Sequence, residues 1–330
     1  GSDDARGDQC DDCGSTYESI ELINPRSKMD PSAKIEVRDT DHFFFQLNQF
    51  QDELESHSLT KQKIWKPNVR AMTKNWLNME LRPRAVTRDM EWGIRVPIPD
   101  EDWDSKRIYV WFEAVQGYLT CSRIWAENFS NNDDDWKKWW VKSDEGIEPK
   151  HIYFMGKDNI PFHTVIWPSI IMGLNSANSG NPPSSIIEPG DLVLESNVPA
   201  MEFLMLQGGQ FSKSRKHAVW LPSFLQNHSP DTLRYFLTIN MPEGHDTDFR
   251  WEEYVDKVNN ELIGTYGNFI HRVMTLSHRI ESTTNENPLS KYYDLKNHED
   301  SAIQIQELLH SAINSMEKQR FKEALRSLMN

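Results

Sequence analysis

The first periodic stretch of the chain is helical. Apolar residues three or four positions apart share one face of a helix, and this spacing begins just after Asp41. Asp39 and Thr40 precede it as candidate N-terminal caps. The apolar positions are Phe43, Phe44, Leu47, Phe50 and Leu54. They predict a helix that starts near Asp41.

Two later stretches each predict a strand followed by a helix. Ile108–Trp111 and Ile152–Met155 are short β-branched and aromatic runs, which are typical of strands. The second run breaks at the polar loop Gly156–Asn159 and continues as a helix from about Pro161, a residue suited to the first helical position. Strand, loop and helix in this order, twice over, favour an α/β fold with a parallel sheet.

The C-terminal part of the chain is first mixed and then helical. Residues 191–250 predict short strands, a glycine pair at Gly208–Gly209 and a capped helix that starts near Ser229. From Trp251 to Asn330 the periodicity is helical, with a polar break around Glu281–Pro288. A helical region therefore follows a mixed one.

Length, charge and cysteine content narrow the class of protein. A chain of 330 residues predicts two or more domains. The net charge of −14 excludes attachment to nucleic acid or an anionic membrane through bulk charge, so such a contact needs a local basic patch. Three cysteines exclude a disulfide scaffold, and the first residues carry no secretory signal, so we expect a cytoplasmic protein. The most apolar stretch, Ile160–Leu174, is too short to span a membrane.

The loop after the second predicted strand carries polar groups where open α/β sheets bind ligands. Lys157 can meet an anion, and Asp158 can accept a hydrogen bond from a ribose or an amine. His163, in the first turn of the next helix, can face the same crevice. Helix capping by Asp158 and Asn159, with His163 as an ordinary core residue, explains the same pattern.

The first predicted strand and its helix offer an apolar slot. Trp111 ends the strand in this interpretation, and Ala114 and Tyr118 are four apart on one helix face. Two aromatic rings beside a small residue suit an unbranched apolar side chain, although core packing gives the same pattern. Cys121, farther along the helix, is interpreted as a core residue.

Three smaller clusters carry charge, thiols or amides. The run Gln210–Lys216 alternates serines with cations on an acidic chain, which indicates a polyphosphate site or, more simply, a solvated basic loop. Cys10 and Cys13 form half of a zinc knuckle, since zinc requires four ligands and the sequence has no second pair. Asn268 and Arg272 share a helix face and can read base edges, or they belong to an ordinary surface.

The order of these motifs resembles the methionyl-tRNA synthetases, a family of class I aminoacyl-tRNA synthetases, from Gly7 to the end of the chain. Each motif alone is weak, whereas all of them in the family's order are specific. The matching motifs are Gly7–Gly14, Thr40–Phe45, Val86–Asp89 with Trp92–Gly93, Tyr109–Ala114 with Gly117–Tyr118, Gly156–Asp158 with Phe162–His163, Phe211–Arg215, Asp231–Tyr235, and Gly267–Asn268 with Arg272.

The resemblance implies ATP-dependent activation of methionine to methionyl-adenylate and its transfer to the 3′ end of tRNA(Met), with Mg²⁺ carried by the ATP and Zn²⁺ at a partial site. Lys213 is implied as the catalytic cation, and Arg88 and Asp89 as part of an insertion that folds back on the active site. The implied methionine-pocket residues are Trp111, Ala114, Val115, Tyr118, Asn159 and His163. The other implied contacts are Lys157, Asp158, Ser212, Lys213 and Ser214 for ATP, Asn268 and Arg272 for the anticodon, and Cys10 and Cys13 for zinc.

The implied fold is α/β: the C-terminal half of a Rossmann-type parallel sheet with a small knuckle insertion, a stem-contact region and a C-terminal α-helical bundle. The implied domains are residues 1–105, part of the connective-peptide insertion with half a zinc knuckle; 106–190, the second half of the Rossmann catalytic domain; 191–250, the stem-contact region with a KMSKS-like loop; and 251–330, a truncated helical anticodon-binding domain.

Departures from the family pattern shape the expected activity. Gln210 replaces the first lysine of the KMSKS signature, and no H-x-G-H signature occurs in the sequence. We therefore expect a fragment that needs the N-terminal half of the same enzyme as its partner and does not activate methionine alone. The alternatives are a class I synthetase for a branched apolar amino acid and a non-catalytic tRNA-binding module.

Overall fold

The structure, a computed structural model, describes residues 17, 19–27, 30–99, 103–143, 145–178, 192–213, 215–284 and 299–330. The chain divides into two compact units, Gly1–Ala200 and Met201–Asn330. Among the described helices, none combines the length and the hydrophobicity needed to cross a membrane.

The described part of the first unit combines short strands with helices. Its strands are β1 (Phe44–Phe45), β2 (Arg84–Ala85), β3 (Thr87–Asp89), β4 (Lys106–Ile108), β5 (Met155–Gly156) and β6 (Ala200–Met201), the last at the boundary with the second unit. Its α-helices are α1 (Gln51–Thr60), α2 (Pro67–Asn78), α3 (Val110–Ala114), α4 (Gly117–Phe129), α5 (Lys137–Trp140) and α6 (Trp167–Asn178). Shorter helical turns are the 3₁₀ segments Ser19–Glu21, Leu47–Phe50, Asp133–Trp136 and Lys157–Asn159 and the π segment Phe162–Ile166.

One apolar core fixes the relative positions of α4 and α6. Leu119 and Ala126 on α4 are buried with Trp167 and Ile171 on α6. Helices pack when each contributes an apolar stripe to a shared core. A parallel bridge between Ile152 and Asn197 runs beside this core, which places the segment before Gly156 next to both helices.

The predicted helix from Asp41 is wrong at its start. Phe44 and Phe45 form β1, which pairs antiparallel with β2, and α1 begins only at Gln51 after a 3₁₀ turn. Thr40 does not cap a helix, because its hydroxyl donates to Asp89 at 2.7 Å. Strand pairing satisfies the backbone of this apolar run, and the periodicity alone does not contain that information.

The predicted strand at Ile108–Trp111 is also partly wrong. β4 ends at Ile108 and pairs antiparallel with β3, while Trp111 lies within α3. Ala114 ends α3 and Tyr118 lies in α4, so one helix does not carry both. Cys121 is exposed on α4 and is not the core residue that we expected.

The second unit begins with a hairpin. β7 (Leu204–Leu206) and β8 (Gly209–Gln210) pair antiparallel across a turn in which Gln207 and Gly208 both have positive φ, 49° and 80°. Such left-handed conformations are typical of the tight turns that match strand twist. β9 (Thr247–Phe249) lies parallel to β7 on its other side.

The rest of the described second unit is helical. Its helices are α7 (Leu221–Leu225), α8 (Pro230–Ile239), α9 (Trp251–Asp256), the π segment Lys257–Gly267, α10 (Asn268–Thr284), α11 (Glu299–Glu317) and α12 (Phe321–Met329). The predicted cap of α8 is confirmed, since the Ser229 hydroxyl accepts from the Asp231 amide at 3.3 Å. The predicted α/β class with parallel pairing and a helical C-terminal part is confirmed as well.

Candidate active site

Two rings meet where α4 faces the turn that follows β5. The Tyr118 hydroxyl lies 2.9 Å from His163 Nε2, and His163 Nδ1 lies 2.9 Å from the Asn159 carbonyl. A carbonyl oxygen only accepts, so Nδ1 carries the proton and Nε2 accepts from the tyrosine O–H. The geometry therefore fixes one neutral tautomer of His163.

A third ring, Tyr153, packs beneath this pair. Its ring centroid lies 4.9 Å from that of Tyr118 and 5.5 Å from that of His163. Its hydroxyl accepts from Trp167 Nε1 at 3.1 Å and donates to His151 Nδ1 at 3.3 Å. Tyr153 is not among the residues that the sequence predicts for this site, because its neighbours Ile152 and Phe154 are apolar as well and the run shows no alternation that singles it out.

Burial keeps these rings uncharged at neutral pH. Desolvation lowers the pKa of His163 and His151 below the usual value of 6.5. It also raises the pKa of Tyr118 and Tyr153 above the usual value of 10.0. A cluster of neutral, polarisable rings suits a soft, uncharged side chain and disfavours a charged one.

The other predicted pocket residues, Trp111, Ala114 and Val115, belong to α3 or directly follow it. The Trp111 ring centroid is 5.6 Å from that of Phe162, directly before His163, and residue Trp111 is 49% exposed. Val115 is buried in the core that contains Leu119, whereas Ala114 ends α3. The structure thus brings Tyr118, Asn159 and His163 together, with Trp111 beside Phe162.

Gly156 directly precedes the turn that carries Lys157, Asp158 and Asn159. A Cβ at Gly156 would lie 2.7 Å from Asp158 Oδ1, so a substitution there would displace the exposed carboxylate of Asp158. Asn159 Nδ2 lies 3.4 Å from the same oxygen. Neither side chain caps the following helix, because its N-cap is Pro161 and shows no side-chain bond.

Arg88 and Asp89 lie on β3, which pairs antiparallel with β4. The Arg88 guanidinium lies 4.1 Å above the ring of Tyr109 and donates to two backbone carbonyls. Asp89 binds Lys106 Nζ at 2.6 Å, and hydrogen bonds from Lys106 and Thr40 lower the pKa of that carboxyl.

The basic loop, Gln210–Lys216, and the helical residues Asn268 and Arg272 all belong to the second unit. Gln210 is the second residue of β8. Ser212 and Lys213 form part of a tight turn that follows this strand. Ser214 lies outside the described residues. Asn268 and Arg272 are exposed on α10. Cys10 and Cys13 also lie outside the described residues, and within the described part no group of three potential ligands could hold a metal ion.

Comparison with known proteins identifies the family. The family described as tRNA synthetases class I (M) matches residues 1–274. The methionine–tRNA ligase of Chloroflexus aurantiacus is 46% identical over 277 residues, which cover 83% of this chain and 45% of the relative. The corresponding ligase of Pelodictyon phaeoclathratiforme is 42% identical over 82% of this chain and 36% of its own length.

Structural comparison shows the same fold. The Mycobacterium tuberculosis methionyl-tRNA synthetase in complex with methionyl-adenylate superposes with a TM-score of 0.70 at 22% identity and covers 96% of this chain and 56% of its own. The chain thus spans less than half the length of the two relatives named above. It belongs to the class I tRNA synthetases. Within that class it belongs to the family described as tRNA synthetases class I (M), whose match covers residues 1–274.

Proposed function

We propose that this chain is the portion of a methionine–tRNA ligase that receives the methionine side chain, grips the ATP polyphosphate and contacts tRNA(Met). The observation that carries the proposal is the neutral pair Tyr118–His163, held in one tautomer at the family's pocket positions. Uncharged, polarisable rings suit a thioether, since sulfur–aromatic contacts are favourable.

The chemistry assigned to the intact enzyme needs no covalent protein nucleophile. The methionine carboxylate attacks the α-phosphorus of ATP, the bond to the β-phosphate breaks, and pyrophosphate leaves with its negative charge. Mg²⁺ arrives with the ATP as part of the substrate. The protein has to hold the reactants in line and to place a cation near the leaving group. Lys213 is the proposed cation, and Lys157 and Asp158 are the proposed contacts to the nucleoside.

Two partners complete the proposal. Helix α10 presents Asn268, Arg272 and Arg279 on one exposed face without an intervening carboxylate, which suits the phosphates and base edges of RNA. The relatives are more than twice as long as the matched region, and the H-x-G-H signature is missing from the sequence. We therefore infer that the N-terminal half of the same enzyme supplies the remaining part of the active site.

Protection against heat by amino acids tests the proposal on the chain itself. Methionine at one hundred times its dissociation constant should raise the free energy of unfolding by about 2.7 kcal/mol. Isoleucine should give no protection, because its branched side chain lacks the sulfur whose contact with aromatic rings is favourable. Differential scanning calorimetry with each amino acid measures the effect.

Matched variants locate the binding site. Tyr118→Ala should abolish protection by methionine. Tyr266→Ala changes an exposed tyrosine of the second unit and should leave protection intact. Equal protection by isoleucine would contradict the assignment to methionine and favour a synthetase for a branched amino acid.

A further inference from the structure

The basic loop of the second unit is a closed turn. Ser212 and His217 exchange two backbone hydrogen bonds, of 2.9 and 3.0 Å, and the Lys216 amide donates to the Lys213 carbonyl at 3.1 Å. Lys216 has a positive φ of 56°, a conformation that few residues adopt outside tight turns. The sequence predicts a cationic loop preceded by two glycines. In the structure the backbone pair Ser212–His217, called the neck of the turn below, closes this loop.

A histidine ties this neck to the neighbouring hairpin. His217 Nε2 lies 2.8 Å from the carbonyl oxygen of Leu206, the last residue of β7. Because a carbonyl only accepts, Nε2 carries a proton and donates it. The edge of the hairpin and the neck of the turn are therefore joined by one side-chain hydrogen bond.

The absence of a side chain at Gly209 makes room for the imidazole. A Cβ at this position would lie 3.1 Å from His217 Nε2 and 3.6 Å from the Leu206 carbonyl oxygen. Gly209 has no positive φ, so backbone conformation does not require glycine here. The space that glycine leaves is the space that the ring fills.

We propose that His217 is a positioning residue that holds the cationic turn against the hairpin and thereby fixes the backbone of Lys213. Lys213, Arg215 and Lys216 are exposed, and the described residues show two backbone hydrogen bonds at the neck, so the loss of a further bond there should favour local opening of the turn. The proposal rests on the proposed function for what Lys213 binds, but not for how the turn is held.

Limited proteolysis with trypsin tests the clamp in the whole chain. Cleavage after Lys213 requires local opening of the turn, and this site lies away from the substituted residue. Loss of one hydrogen bond should raise its rate about fivefold to tenfold in His217→Ala, relative to cleavage after the exposed Lys318. His217→Gln should restore the slow rate, since its amide can donate to the same carbonyl.

Two further variants test whether faster cleavage in His217→Ala comes from loss of the His217 contact. His245→Ala removes an exposed histidine of the same unit and should leave the rate unchanged. Gly209→Ala should raise the rate in the same direction as His217→Ala by displacing the ring, and it serves if His217→Ala unfolds the unit. Unchanged cleavage after Lys213 in both folded variants would overturn the proposal.

Titration with inorganic tripolyphosphate separates this proposal from the proposed function. His217→Ala should weaken binding at least threefold, and His217→Gln should bind like the parent chain. If Lys213→Ala binds tripolyphosphate normally, the assigned role of the loop in ATP binding fails. The proteolysis result would still decide whether His217 holds the turn.

Discussion

Replacement of His57 by alanine should lower the free energy of unfolding of the chain by about 3–5 kcal/mol. Glu195 is 1% exposed, and its Oε1 lies 2.6 Å from His57 Nε2. Its other carboxylate oxygen has no hydrogen-bond partner among the described residues. Lys61 donates to the backbone carbonyl of Glu195 and not to the carboxylate. Without His57, a buried carboxylate would lose its side-chain partner.

A double variant distinguishes loss of pairing from loss of packing. Glu195→Gln in the His57→Ala background removes the buried charge and should recover more than half of the lost stability. His245→Ala, at an exposed position, should be neutral. Urea denaturation monitored by circular dichroism measures all four proteins. A His57→Ala variant within about 0.5 kcal/mol of the parent would show that the pair contributes little.

Replacement of Lys213 by alanine should lower methionine-dependent ATP–pyrophosphate exchange about 100- to 1000-fold, when the chain is assayed with the N-terminal half of the enzyme. Charge develops on the departing pyrophosphate, and a fixed cation stabilises it more in the transition state than in bound ATP. The family's first signature lysine is Gln210 here, so the proposed function assigns more of this stabilisation to Lys213. The KM for methionine should stay constant, because its proposed pocket lies in the first unit.

The exposed Lys318, directly after α11, provides the matched control. Lys318→Ala removes the same charge from the second unit and should leave exchange unchanged. Equal exchange by Lys213→Ala and the parent would remove the loop from catalysis. It would favour the interpretation of the chain as a tRNA-binding module without catalytic activity.

Local patterns predicted the elements whose stability is local. The α8 cap needs only Ser229 and the residues after it, and the sequence identified it correctly. The helix predicted from the run that begins at Phe43 is wrong at its start, because β1 is determined by pairing with Arg84–Ala85, some forty residues away. Periodicity reports which residues are apolar, and it does not report which partner satisfies their backbone.

In the candidate site, too, the sequence predicted some residues and missed others. Family motifs pointed to Tyr118 and His163, and the structure places them within hydrogen-bonding distance. Tyr153 and His217 escaped notice because each acts through a contact with another element. A contact that joins distant segments leaves no spacing in the sequence from which it can be read.

Anomalous diffraction from a bound selenomethionine tests the central assignment most directly. Crystals of the chain with ordinary methionines would be soaked with free selenomethionine, so that selenium marks only the ligand. We predict one selenium peak beside the rings of Tyr118 and His163, within about 4 Å of their atoms, the range of van der Waals contact. A peak elsewhere, with this position empty at saturating ligand, would contradict the assignment.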